Sequence, residues 1–360
     1  MRVRELWVTD FRSYDSAHLV CPEGLCVIRG PNGVGKTNLL EAVGYLATLS
    51  SFRGAPGDAL IRVGADAAVV RAEVESDGRA QLIEAELSRT GRNRVQVNRQ
   101  RLRRTRDLLG TLRVSVFAPD DLELVKGGPG VRRGMLDDLL VSLHPRNDGV
   151  RAEWERALRQ RNALLKQVGG RLDESAELTL GVWDDKAGAA GEELLALRTA
   201  LVDRLAPAVQ TAYRDLAGAG EVVRLEYRRS WQGGLGEALA ASRRDDLRRG
   251  VTTVGLHRDE LWVELDGLPA RTHASQGEQR CLALSLRLAG HREVAADVGT
   301  PPVLLLDDVF SELDPTRCEA LVASLPAGQA FLSTATALPP SVSPQAVVEV
   351  REGRLVETAR

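Results

Sequence analysis

The sequence predicts an α/β fold interrupted by a helical insertion, and three observations carry that prediction. Residues 30–37 read Gly-Pro-Asn-Gly-Val-Gly-Lys-Thr between an apolar strand pattern and a helical one. Val303-Leu304-Leu305-Leu306-Asp307-Asp308 is an apolar run that ends in two acids. Between them, from Met135 to about Leu216, apolar positions repeat at intervals of three and four.

Taken in order, the first 28 residues read as short strands. Leu6, Val8 and Phe11, then Leu19 and Val20, then Leu25 to Ile28 are broken by the turn-forming groups Tyr14-Asp15-Ser16 and Pro22-Glu23-Gly24. A helix is predicted after Gly35, because Leu39, Leu40, Ala42, Val43, Leu46 and Ala47 share one face. Strand patterns return from about 60 to 117, with Val95, Val97 and Leu102 flanking an Asn98-Arg99 turn. The insertion shows one helix through Trp154, Leu158 and Leu165 and another through Leu194, Leu201 and Leu205. Gly169-Gly170 separates them, and Pro207 bends or ends the second. The first, about 18 residues, would span about 27 Å, far short of a long coiled-coil arm. Strands follow at Val222–Tyr227 and Leu261–Leu265. The tail reads as the buried strand from Val303, a helix after Pro315, a strand at 330–333 and a hairpin around Glu352-Gly353.

Length and composition narrow the classes. With 360 residues, 43% of them apolar, the chain can build one large core or two ordinary ones. No apolar run approaches the 18 to 20 residues of a membrane span, and Met1-Arg2-Val3-Arg4-Glu5 lacks a signal-peptide core, so a cytoplasmic protein with no membrane partner is expected. Cys21, Cys26, Cys281 and Cys318 form no zinc-binding pattern. The net charge of −2 is divided unevenly: residues 89–106 hold eight arginines and no acid, which leaves −10 on the rest. About two arginines would be expected in such a window, so arginine-rich coding alone does not explain this patch. By contrast Arg243, Arg244, Arg248 and Arg249 alternate with Asp245 and Asp246, the pattern of a salt-bridged surface.

The segment Gly30, Pro31, Asn32, Gly33, Val34, Gly35, Lys36, Thr37 fits G-x-x-x-x-G-K-[ST]. Glycines let such a loop curl until successive backbone N–H groups face one point, and the following helix N-terminus adds positive potential, making a cradle for nucleotide phosphates. Lys36 would reach the β- and γ-phosphates and Thr37 would bind Mg²⁺. Only four lysines occur in the chain, and one falls here. Asp307, at the carboxyl end of a strand buried on both faces, is the carboxylate for the metal; Asp308 is the candidate to orient or deprotonate attacking water. No N-K-x-D guanine motif exists, so a compact GTPase is excluded. Ser275-Gln276-Gly277-Glu278-Gln279 precedes an apolar helix and reads both as a capping box and as a second phosphate-binding helix start. His257-Arg258-Asp259 lacks a nucleophile nearby and reads as structural or interface-forming.

The order of these motifs, with Ser311-Glu312-Leu313-Asp314 after the two acids, resembles the ABC-type ATPases of the SMC and Rad50 group, and within it the RecF family across nearly the whole chain. Asp10 to Tyr14, Gly30 to Ala42 and Ser51-Phe52-Arg53 resemble its first lobe, Gly127-Gly128-Pro129 with Arg132-Arg133 its midsection, and Gly255 to Leu261 with Ala274 to Arg280 its second lobe. The resemblance implies a two-lobed ABC-type P-loop ATPase head without a long coiled coil. Residues 1–134 with 296–360 would form the first lobe and 135–295 the helical second. It further implies an ATP-dependent homodimer in which Ser275 to Gln279 cap the γ-phosphate held at Lys36 of the other subunit, with Asp314 lining the interface. Arg12 is carried over among the nucleotide-binding residues. Such heads are slow, DNA-stimulated ATPase clamps on duplex or gapped DNA. The family's role is loading recombinase at single-strand gaps, in replication, repair and the SOS response, alongside the partner RecR.

Three departures from the ABC pattern point toward slow hydrolysis. Leu112 to Pro119 contains no glutamine, with Ser115 the nearest polar residue; Phe331-Leu332-Ser333-Thr334 offers hydroxyls where a histidine is usual; and Asp308 replaces a glutamate. Arg99, Arg101, Arg103 and Arg104 are expected to contact DNA phosphates without reading sequence, since no aromatic residues interleave them. A transporter-type ATPase, or a scaffold ATPase without a DNA function, is the alternative.

Overall fold

The computed structural model describes residues 1–76, 78–170, 172–218, 220–311, 313–351 and 353–357; Glu312 and Glu352, singled out above, lie outside the described residues. The chain divides into two compact units. Unit 1 holds Met1–Leu122, Thr211–Ala219 and Gln276–Arg360; unit 2 holds Glu123–Gln210 and Gly220–Ser275.

The strands of the first third are β1 (Arg2–Phe11), β2 (Tyr14–Val20), β3 (Leu25–Arg29), β4 (Ala67–Ser76), β5 (Arg79–Ser88), β6 (Arg94–Val97), β7 (Gln100–Arg101) and β8 (Val114–Phe117), with helix α1 (Lys36–Thr48) after β3. Unit 1 is completed by α8 (Gln276–Val298), β12 (Val303–Asp307), α9 (Pro315–Ser324), β13 (Ala330–Thr334), β14 (Ala346–Arg351) and β15 (Arg354–Glu357). Two six-stranded sheets result. One is antiparallel, ordered β2-β1-β4-β5-β6-β7; the other is ordered β15-β14-β3-β13-β12-β8, parallel from β14 to β8, with β15 antiparallel at the edge.

Helix α1 packs on both sheets. Leu39, Leu40, Val43 and Leu46 share one buried cluster with Val3, Leu6 and Val8 of β1 and with Leu305 and Phe331 of the parallel sheet. Ten of its thirteen residues are buried, which is why its sequence is apolar nearly all round rather than on one face. A helix clamped on two sides holds the loop before it in place.

Unit 2 contains α2 (Glu123–Lys126), α3 (Pro129–Leu143), α4 (Asn147–Val168), α6 (Leu235–Arg249), α7 (Ala270–His273) and most of α5 (Glu174–Ala217), beside a three-stranded sheet ordered β11-β10-β9 from β9 (Val223–Arg228), β10 (Glu260–Leu265) and β11 (Leu268–Pro269). Its interior includes Arg161, fully buried on α4. The guanidinium donates to Asp184 on α5 at 2.6 Å, to Asp246 on α6 at 2.7 Å and to Thr252 at 2.9 Å, tying three helices together. His257-Arg258-Asp259 is also structural: Asp259 is buried and accepts from the Tyr227 hydroxyl at 2.8 Å and the Ser230 amide at 2.9 Å.

Of the two outcomes expected at Pro207, bending or ending, the helix does not end there: α5 runs on through Ala217. The compact units divide at 122/123, 210/211, 219/220 and 275/276, which places all of α8 in unit 1. The reason is packing along the apolar sequence of α8: Arg287 grips Asp121 after β8 with two bonds of 2.9 and 2.6 Å, and Arg292 reaches the Ser324 carbonyl at the end of α9.

Candidate functional site

The loop from Gly30 to Gly35 bridges β3 and α1, and its glycines are there for stated reasons. Gly33 and Gly35 adopt φ of 81° and 108°, which side chains rarely tolerate. A Cβ at Gly35 would stand 2.5 Å from the Ser13 hydroxyl, and one at Gly30 would stand 2.6 Å from the Val350 carbonyl. Tyr14 fastens the loop by donating its hydroxyl to the Gly35 carbonyl at 3.0 Å.

A cavity of about 340 Å³ opens over this loop. Asn32, Gly33, Gly35, Lys36, Thr37 and Asn38 line one side, and Arg53, Asp308 and Ser333 line the rest. Of the expected nucleotide-binding residues, Gly30, Pro31 and Val34 support the loop from behind. The carbonyls of Gly30 and Pro31 each accept from Lys36 Nζ at 2.8 Å, and Val34 packs against the core. Burial of the Lys36 ammonium lowers its pKa, while the charges of Asp308 and Asp307 pull it back up.

Thr37 donates its hydroxyl to Asp307 Oδ1 at 2.7 Å, and Ser333 donates to the same oxygen at 2.6 Å. Asp308 follows in a left-handed conformation, φ 49°, with its amide directed to Ser333. Its Oδ1 is buried and, among the described residues, has no hydrogen-bond partner.

The site suits Mg²⁺ by its donors. Among the described residues no cluster of three acidic, histidine or cysteine side chains forms a metal cage. A hydroxyl and one or two carboxylates are what Mg²⁺ takes from a protein when nucleotide phosphates and water supply the other ligands. Thr37 and Asp307 would hold it.

Other expected residues lie elsewhere. Arg12 does not line the cavity: its guanidinium is paired in parallel with the fully buried Glu41, at 2.7 and 2.8 Å, and with the Ala59 carbonyl at 3.0 Å. Ser275 and Gln276 are exposed and none of residues 275–279 lines this cavity. Asp314 is exposed and caps α9 by accepting from the Arg317 amide at 3.0 Å. Arg53 lines the cavity as well, a place that the segment Ser51-Phe52-Arg53 does not reveal from sequence alone.

The arginine-rich segment forms the β6–β7 hairpin. Asn98 and Arg99 take φ of 52° and 65°, the paired left-handed turn suited to a two-residue hairpin, and Asn98 exchanges bonds of 2.8 and 2.9 Å with Leu82 on β5. Arg99, Arg101, Arg103 and Arg104 are exposed, and among the described residues none of them pairs with an acid, whereas Arg243 and Arg248 pair with Asp184 and Asp245.

The chain matches the family model described as RecF/RecN/SMC N terminal domain over residues 2–334. It is 46% identical over 351 residues to the DNA replication and repair protein RecF of Streptomyces avermitilis, and 46% identical over 365 residues to that of Kineococcus radiotolerans, with 93% of each chain covered in both cases. Among solved structures it is similar to the ATP complex of the recombination mediator protein RecF of the RecFOR pathway, with a TM-score of 0.91 at 28% identity, covering 99% of this chain and 97% of that one. An Smc head bound to the winged-helix domain of ScpA, 16% identical with a TM-score of 0.61, shares the fold.

Proposed function

From the premise that the chain belongs to the RecF family, we propose that it is a cytoplasmic, DNA-binding ATPase of replication and recombinational repair, working as a slow switch rather than a motor. The observation that carries this is the cavity built over the phosphate loop, with Lys36, Thr37 and Asp308 lining it together.

Loop amides and Lys36 bind the β- and γ-phosphates, and Lys36 balances charge that builds on the γ-phosphoryl oxygens. Thr37 and Asp307 would hold Mg²⁺, which when bound would neutralise phosphate charge. Asp308 accepts a hydrogen bond from water and orients it toward phosphorus. A carboxylate one methylene shorter than glutamate reaches that water less readily, which supports slow turnover. Exposure of Ser275 and Gln276, away from the cavity of their own chain, supports a γ-phosphate cap supplied by a second subunit, with Asp314 at the interface. The unpaired arginines of the β6–β7 hairpin support backbone contact with duplex or gapped DNA. Membership of the family supports a RecR-type partner and a role in loading recombinase.

Phosphate release measured with and without gapped duplex, together with sedimentation in ATP and in ADP, tests the reading. DNA-stimulated turnover and dimers seen only with ATP are expected; turnover indifferent to DNA, with no ATP-dependent dimer, would point instead to a transporter-type ATPase.

A further inference from the structure

We propose that Ser333 is a positioning residue for ATP hydrolysis, a single hydroxyl that sets both acids of the site; the inference rests on the roles given above to Asp307 and Asp308.

Ser333 sits on β13, directly opposite Asp307 in the parallel pairing with β12, and is fully buried. Its hydroxyl proton goes to Asp307 Oδ1 at 2.6 Å. With the proton so committed, only its lone pairs face the Asp308 amide, which lies 3.1 Å from the Ser333 hydroxyl and 3.1 Å from the Ser333 carbonyl. One side chain thus fastens the carboxylate of Asp307 and the backbone of Asp308. The backbone contact matters because Asp308 is held at φ 49°, a region a non-glycine residue leaves unless its surroundings fix it.

The neighbouring hydroxyl cannot substitute. Thr334 is turned to the carbonyl and hydroxyl of Thr336, each at 3.2 Å. Thr37 also donates to Asp307 Oδ1, at 2.7 Å, so removing Ser333 leaves one of two donors on that oxygen and no side chain on the Asp308 amide. Ser333 is also one of the residues that line the cavity.

The test compares Ser333→Ala and Ser333→Thr with the parent protein. Two readouts are taken: steady-state phosphate release, and ADP affinity by calorimetry with and without Mg²⁺. For Ser333→Ala we expect kcat to fall about tenfold or more while KM for ATP moves less than about threefold, the pattern of lost transition-state positioning. The gain in ADP affinity on adding Mg²⁺ should shrink as Asp307 loses a donor, and Ser333→Thr, which keeps the hydroxyl, should restore kcat to within about threefold. If Ser333→Ala does not fold, Ser333→Cys carries the same test, because it keeps a side-chain group at the same place and weakens the donor. A kcat unchanged in Ser333→Ala, or a Ser333→Thr as impaired as Ser333→Ala, overturns the proposal. Asp308→Asn is measured in parallel. If it hydrolyses ATP at the parent rate, the role of Asp308 falls and this inference falls with it; if it is inactive while Ser333→Ala is normal, only Ser333 is wrong.

Discussion

Thr37 and Asp307 stand 270 positions apart in the chain and 2.7 Å apart in the fold, hydroxyl to carboxylate. The parallel order β3-β13-β12 makes this possible: it brings the carboxyl ends of β3 and β12 to one edge with a single strand between them. Closing so long a connection costs little more entropy than closing a short one. The whole of unit 2 can therefore be inserted in the sequence between Thr37 and Asp307 without loosening the site.

The first prediction separates binding from chemistry. Lys36→Ala removes the cation at the cavity floor and should weaken ATP binding at least about tenfold, because phosphate charge then meets Asp307 and Asp308 uncompensated. Asp308→Asn keeps shape and removes the acceptor charge. It should bind ATP normally and lower kcat by about 10²- to 10⁴-fold, the usual contribution of a positioned acid or base. Calorimetric titration and phosphate release on both variants check this.

For the hairpin, replacing Arg99, Arg101, Arg103 and Arg104 together by alanine should weaken DNA binding and make its salt dependence shallower. Each phosphate contact contributes about −0.9 to the log–log slope, so four lost contacts change it by about 3.6. Arg248→Ala, which removes a cation already paired with Asp245, should leave the slope unchanged. Fluorescence anisotropy on gapped duplex across a salt series reads both, and an unaltered slope in the fourfold variant would dismiss the hairpin as a DNA contact.

What could be read from the sequence follows the range of the forces involved. The phosphate loop, α1 and β12 were legible because glycine spacing and unbroken apolar runs are local signals. The Asn98-Arg99 turn was legible for the same reason. The destination of Arg12 was not: its partner Glu41 looks like any helical acid until α1 is clamped between two sheets and its carboxylate is fully buried. Ser333 was noted only as a hydroxyl in place of a histidine, since its bond to Asp307 depends on the β12–β13 register. The extent of α8 in unit 1 depends on Arg287 finding Asp121, 166 positions away.

At the signature segment, Ser275→Arg places a bulky cation where a partner's γ-phosphate would dock, at an exposed position of this chain. Sedimentation in ATP should show the dimer lost while ATP binding by the monomer persists. Dimers that survive the substitution would mean that the segment serves only to start α8.

The last prediction concerns acid stability and turns on His291, in the apolar middle of α8. It is 1% exposed, neither ring nitrogen has a hydrogen-bond partner among the described residues, and burial, aided by the charge of Arg292, pushes its pKa down to about 4. In the unfolded chain the same imidazole titrates near 6.5. Between those values the unfolded state binds a proton that the folded state refuses, so stability rises with pH across the window. The contribution is complete above pH 6.5 and is lost progressively as pH falls to about 4, by up to about 3 kcal/mol. His291→Leu removes the titrating group and keeps an apolar side chain there, so its thermal midpoint should fall less between pH 7.5 and pH 5 than that of the parent. His257, whose pKa burial also lowers, would supply part of the dependence that persists. Equal falls in the two proteins would show that the acid sensitivity arises outside α8.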